Sequence, residues 1–166
     1  LTFLSIFSYG ITPEGGLLGI DDQYLINTAN MNGVKALMVI TPLDEMGRFN
    51  DEIASSLLEN PEARKQLIEN IKNTIIEKGF FGVDFDFEYI SKENKDDYVA
   101  LVSEARAVLN PLGYIVTVAL APKVSADQQG ILYEGHDYNG MGEAANLVLL
   151  MTYEWGYTYG PPMAVS

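Results

Sequence analysis

The sequence predicts an α/β fold built on a parallel sheet, and three observations carry that expectation. Apolar or β-branched runs alternate with stretches of helical periodicity. Two of the runs, ALMVIT at 36–41 and LVLLMTY at 147–153, are nearly continuous, as suits strands buried on both faces. Polar residues gather where the runs end: Tyr9, Thr41, Asp84, Asp86, Glu88, Tyr153 and Glu154. That is the end at which (β/α)8 barrel enzymes carry their reactive groups. An open doubly wound sheet competes with the barrel, but no glycine-rich phosphate fingerprint follows any strand.

Taken in order, Phe3 to Tyr9 predicts a first strand, closed by Gly10 and the turn from Pro13 to Gly16. Leu17 to Ile20 is a very short second one. Asp21 or Asp22 is the expected cap of a helix running to Met31, with Gly33 at the position a C′ glycine takes. Ala36 to Thr41 is a strand stopped by Pro42. Helices follow at 51–59 and 61–78, separated by Asn60-Pro61, an N-cap and the proline favoured at N1. Leu67, Ile68, Ile71 and Ile75 form the apolar stripe of the second helix, and Gly79 ends it. Phe80 to Tyr89 is a strand. A helix from Ser91 or Asn94 to Leu109 leads to a strand at 114–121, a short helix at 138–145 and a last strand at 147–153.

Composition narrows the partners. The 166 residues, 48% hydrophobic, can form a substantial core. Ten Lys+Arg stand against 23 Asp+Glu, a net charge of −13. No nucleic acid is expected as a partner, because phosphate contacts need cations. No apolar run approaches the roughly 18 residues that cross a bilayer, so no membrane span is expected. The absence of cysteine excludes disulfides, thiolate metal sites and a cysteine nucleophile. The opening LTFLSIFSYG has no basic n-region and no signal-peptide character, and with the closing GPPMAVS it reads as a piece of something longer.

The most informative stretch is Gly82-Val83-Asp84-Phe85-Asp86-Phe87-Glu88-Tyr89. Side chains alternate along a strand, so the three acids share one face, about 7 Å apart, and Val83, Phe85 and Phe87 share the other. Three arrangements fit: a solvated surface strand, a carboxylate site for Mg²⁺ or Mn²⁺, or a tuned acid set. The aromatic opposite face and the preceding βα unit disfavour the surface strand. The single histidine, His136, and the lack of a second acidic cluster disfavour the metal. In the acid set, inner carboxylates raise the pKa of Glu88 and keep it protonated as a general acid.

FGVDFDFEY resembles the signature D-x-x-D-x-D-x-E of glycoside hydrolase family 18, found on the fourth strand of a (β/α)8 TIM barrel. Asp84, Asp86 and Glu88 match its last three acids, and Phe81 stands in place of the first. The opening FLSIFSYGITPEG, the stretch APKVSAD at 121–127, and MTYEW at 151–155 followed by Gly160-Pro161-Pro162 are similar to one subgroup. That subgroup comprises spore-cortex and cell-wall N-acetylglucosaminidases, often fused to LysM modules.

The resemblance implies a retaining glycosidase cleaving β-1,4-linked N-acetylglucosamine in peptidoglycan, spore cortex or chitin-like glycans. Glu88 would be the general acid, and the substrate's own acetamido oxygen the nucleophile. Asp86 would orient the acetamido group, Asp84 would share a proton with Asp86, and Tyr153 would bond the acetamido oxygen. Glu154, Trp155 and Tyr9 would line the sugar subsite. No cofactor or metal is implied, and location would be extracellular, at the cell wall or spore. A non-catalytic chitinase-like glycan-binding module is the alternative, disfavoured because Glu88 is retained.

Tyr157 and Tyr159 read as packing or loop residues, His136 as a structural or capping residue, and Lys123 as either a substrate contact or a solvated lysine. A −13 chain is not steered toward an anionic polymer, although screening within 8–10 Å blunts that effect. A full barrel takes about 250 residues. Residues 1–166 are therefore expected to be a partial catalytic domain, an incomplete barrel of about six strands lacking its C-terminal ones.

Overall fold

The computed structural model describes residues 1–44, 46–153 and 160–161. Strands β1 (Phe3–Ile11), β3 (Lys35–Ile40), β4 (Gly82–Phe85), β5 (Ile115–Leu120) and β6 (Leu147–Leu150) run parallel. The two-residue β2 (Leu17–Leu18) pairs antiparallel with β1, giving the order β2-β1-β3-β4-β5-β6. Helices α1 (Gln23–Met31), α2 (Asp51–Glu59), α3 (Pro61–Lys78), α4 (Lys95–Leu109) and α5 (Tyr138–Ala144) fill the connections. Sheet and helices together form an incomplete (β/α)8 barrel wall.

Local chemistry sets the helix limits. Asn50 caps α2 by accepting from Ile53 N, with Asp51 and Glu52 favourably placed at the positive end of the helix dipole. Asn60 caps α3 through the amides of Glu62 and Ala63, and Gly79 ends it at φ 84°. Asp137 caps α5 through Asn139 N. The cap expected of Asp22 does not form, because its carboxylate is drawn into a buried ion pair instead.

One face of the sheet packs on the helices. Ile6, Met38, Ile40, Val83, Phe85, Val118 and Leu120 share a core with Leu57, Leu67, Ile71, Ile75, Leu101 and Val102. The alternate residues Ser5, Val39, Asp84 and Thr117 fall on the opposite, inner face. The β1–β3 register shifts between Ile6 and Tyr9, so Tyr9 and Ile11 return to the helix side with Ile6.

Two strands differ from expectation. β4 stops at Phe85, although the acid pattern continues to Glu88. β6 stops at Leu150 and is not buried on both faces: Leu147, Val148, Leu149 and Leu150 are each 38–50% exposed. It is the last strand of the sheet among the described residues, and no described strand pairs with its outer edge.

Candidate active site

Asp84 sits at the centre of the inner face. Its register partners are Val39 and Thr117, and it is only 5% exposed. Ser5 donates to one carboxylate oxygen at 2.9 Å and Thr117 to the other at 2.6 Å. Burial pushes the Asp84 pKa up, and these two hydroxyls pull part of the rise back.

Asp86 lies one step closer to the C-terminal end of the sheet, where its amide still donates to Ile40 O at 3.0 Å. It is 5% exposed, and no described residue bonds its Oδ1. Burial first, then the charges of Glu88 and Asp84, raise its pKa to about 7. A carboxyl in that state carries a proton near neutrality and can take up another polar group at the free oxygen.

Glu88 is half-buried and lines a cavity of about 530 Å³ with Ala121, Pro122, Tyr133, Met151 and Thr152. The three acids thus pass from a saturated inner carboxylate, through a proton-holding middle one, to an outer one at an open cavity. Alternation survives past the end of β4: Phe85 and Phe87 are in the core while Asp84 and Asp86 face inward.

What replaces the strand after Phe85 is a set of side-chain bonds. Phe87 N–H donates to Tyr98 Oη at 3.4 Å, and Phe87 O accepts from His136 Nε2 at 2.8 Å. His136 Nδ1 accepts from Ala121 N–H at 3.0 Å. That bond places the ring hydrogen on Nε2. Burial pushes the His136 pKa down, and Lys123 adds to the fall. Lys123 itself donates to His136 O at 2.9 Å, a structural contact.

The other expected site residues divide. Tyr153 follows Met151 and Thr152, which line the cavity, and is 56% exposed. Glu154, Trp155, Tyr157 and Tyr159 lie outside the described residues. Tyr9 is not brought to the acids. The register shift turns it to the helix side, where its hydroxyl donates to Asp22 and accepts from Lys78, both at 2.7 Å. Burial raises its pKa to about 12. Ser5, Thr117 and Tyr98 are the participants that sequence reasoning missed, whereas His136, read there as structural, bonds the backbone of Ala121 and Phe87. A hydroxyl at an inward position of an apolar strand was the available signal for the first two.

Among the described residues, no group of three or more His, Asp or Glu is placed to hold a metal ion. No described helix is long and apolar enough to cross a membrane.

A barrel wall with an acid row at the C-terminal end of one strand sets its carboxyls where barrel enzymes carry their reactive groups, and the class of enzyme, a glycoside hydrolase, comes from its relatives. Residues 25–162 match the family model of Glycosyl hydrolases family 18, and the chain belongs to that family. It is 38% identical over 166 residues to the cortical fragment-lytic enzyme of Bacillus subtilis (strain 168), covering 100% of this chain and 38% of that one. Among solved structures it is similar to the spore cortex-lytic enzyme SleL of Bacillus cereus, with TM-score 0.92 and 32% identity, covering 100% of this chain and 38% of that one. A chitinase from Chromobacterium violaceum ATCC 12472, 20% identical, shares the fold at TM-score 0.88 over 99% of this chain and 52% of that one. The chain therefore spans about two-fifths of the length of the cortical fragment-lytic relative.

Proposed function

We propose that this chain is part of a catalytic barrel that hydrolyses β-1,4-linked N-acetylglucosamine in the peptidoglycan of the spore cortex. The observation that carries the proposal is the graded row Asp84, Asp86, Glu88, with a buried Asp86 whose pKa is about 7 and whose Oδ1 has no bond among the described residues. Two similar proteins named for lysis of cortex or cortical fragments support the choice of substrate over chitin. They also support location at the spore or cell wall. Five parallel strands with an exposed β6 support a domain whose wall is completed outside residues 1–166.

In this mechanism the Glu88 carboxyl gives its proton to the glycosidic oxygen as the C1–O bond breaks. The carbonyl oxygen of the substrate's 2-acetamido group bonds to C1 and forms an oxazolinium ion, the substrate-assisted route among retaining glycosidases. Asp86 accepts the acetamido N–H at its open oxygen, and its negative form stabilises the cationic ring. Asp84, fixed by Ser5 and Thr117, modulates the proton on Asp86. Water then attacks C1 as the Glu88 carboxylate takes its proton; the C1–O bond of the oxazolinium breaks, its electron pair returns to the acetamido group, and the Glu88 acid is regenerated. Tyr153, Glu154 and Trp155 complete the sugar subsite in this proposal, whereas Tyr9 has no part in it.

Proton NMR of the newly formed reducing end tests the route. Two inversions at C1 predict the β anomer as first product, and an α anomer appearing first would exclude the acetamido nucleophile.

A further inference from the structure

We infer that His136 and Tyr98 are positioning residues for Glu88, fastening the two peptide units on either side of Phe87 that aim it; the inference rests on the assignment of Glu88 as general acid. β4 ends at Phe85, and among the described residues the backbone that presents Glu88 receives no further sheet ladder beyond the Asp86 N–H to Ile40 O bond. Both polar groups of Phe87 are instead satisfied by side chains from two other elements. Tyr98, on α4, accepts from Phe87 N and donates to Phe85 O, each at 3.4 Å. Its ring stacks on Phe87, centroids 5.2 Å apart and planes 14° from parallel. His136, in the segment between β5 and α5, donates to Phe87 O and accepts from Ala121 N–H, so it ties the end of β4 to the end of β5.

Both side chains are essentially inaccessible, at 0% and 1% exposure. An apolar ring in either place would leave buried backbone groups of Phe87, and with His136 also Ala121 N–H, without these partners. What the hydroxyl and the imidazole add is direction, since each converges on the residue before Glu88. The fit is tight on the far side too: a Cβ on Gly135 would collide with Ile90 O, so the segment preceding His136 lies directly against the residues following Glu88. A general acid has to stand within hydrogen-bonding reach of the oxygen it protonates, and an error of about 1 Å costs on the order of 100-fold.

The test uses Tyr98→Phe, which keeps the ring and removes the hydroxyl, and His136→Leu, which is close to histidine in size and removes both bonds, with Glu88→Gln as reference. Turnover is measured on aryl β-glycosides of N-acetylglucosamine whose leaving phenols differ in acidity. A weakly acidic phenol needs protonation to depart; a dinitrophenolate does not. For the weakly acidic phenol kcat falls ~10- to 100-fold, while for dinitrophenolate it stays within ~3-fold and KM changes little on both. His136→Gln, which restores one donor and one acceptor, recovers part of the loss. Amide exchange at Phe87 quickens in Tyr98→Phe.

An equal fall on both substrates would mark a general loss of folded enzyme and overturn the positioning role. So would unchanged exchange at Phe87, or Glu88-dependent activity that both variants leave intact. Equal turnover of wild type and Glu88→Gln on the weakly acidic phenol would instead overturn the assignment of Glu88 itself.

Discussion

A carboxyl that is 5% exposed beside two other acids holds its proton far above the ordinary carboxylate range, and Asp86 does so to about 7. The linkage to folding has a definite sign. The native state binds this proton more tightly than the unfolded chain, so the stabilisation is complete below the ordinary carboxylate value of 3.8 and is lost as pH rises to about 7. Asp86→Asn removes the dependence. Thermal denaturation of the two proteins from pH 4 to pH 8 should show the variant gaining on wild type as pH rises, by up to about 4 kcal/mol. A parallel pair of curves would show Asp86 ionised throughout. The acids themselves were legible from strict alternation beside Phe85 and Phe87. Their partners were not, because Ser5 and Thr117 meet Asp84 across 79 and 33 positions of sequence. Tyr9 misled because a register shift reverses its face, and composition carries no trace of such a shift.

At the scale of elements, β4 is short and tightly flanked. Gly82 pairs with Leu37 on one side and Ile115 on the other, and a Cβ there would run into the carbonyl of Ile115. Gly82→Ala therefore forces β4 and β5 apart where the acid row begins. We expect a loss of about 1–3 kcal/mol, read as a lower urea midpoint at unchanged m-value. Helix limits were legible wherever a side chain caps its own helix, as Asn60 does for α3. They misled at Asp22, whose carboxylate goes to Lys78 at 2.7 Å and to Tyr9 in place of the α1 amides. The end of β4 at Phe85 was illegible for a related reason. Phe87 finds its partners on α4 and beyond β5, and no local pattern announces them.

At the scale of the whole molecule, the parallel wall and its helix-covered face follow from the alternation of apolar runs with helical stripes, and both were legible. The exposure of β6 depends instead on what lies beside it, which no run of residues encodes. Four apolar side chains on an edge strand, paired only with β5 among the described residues, make an adhesive edge. Sedimentation velocity of the 166-residue chain should show self-association that Leu149→Lys reduces; a monomer insensitive to that change would mean the edge is covered. The central proposal is that this wall holds Glu88 as a proton donor. Its most direct test is turnover of an N-acetylglucosamine-containing cortex glycan by the enzyme and by its Glu88→Gln variant, at matched folded concentration. The amide keeps the size of the side chain and removes the acid, so kcat should fall by at least ~100-fold with glycan binding retained. Turnover within ~3-fold of wild type would contradict the account.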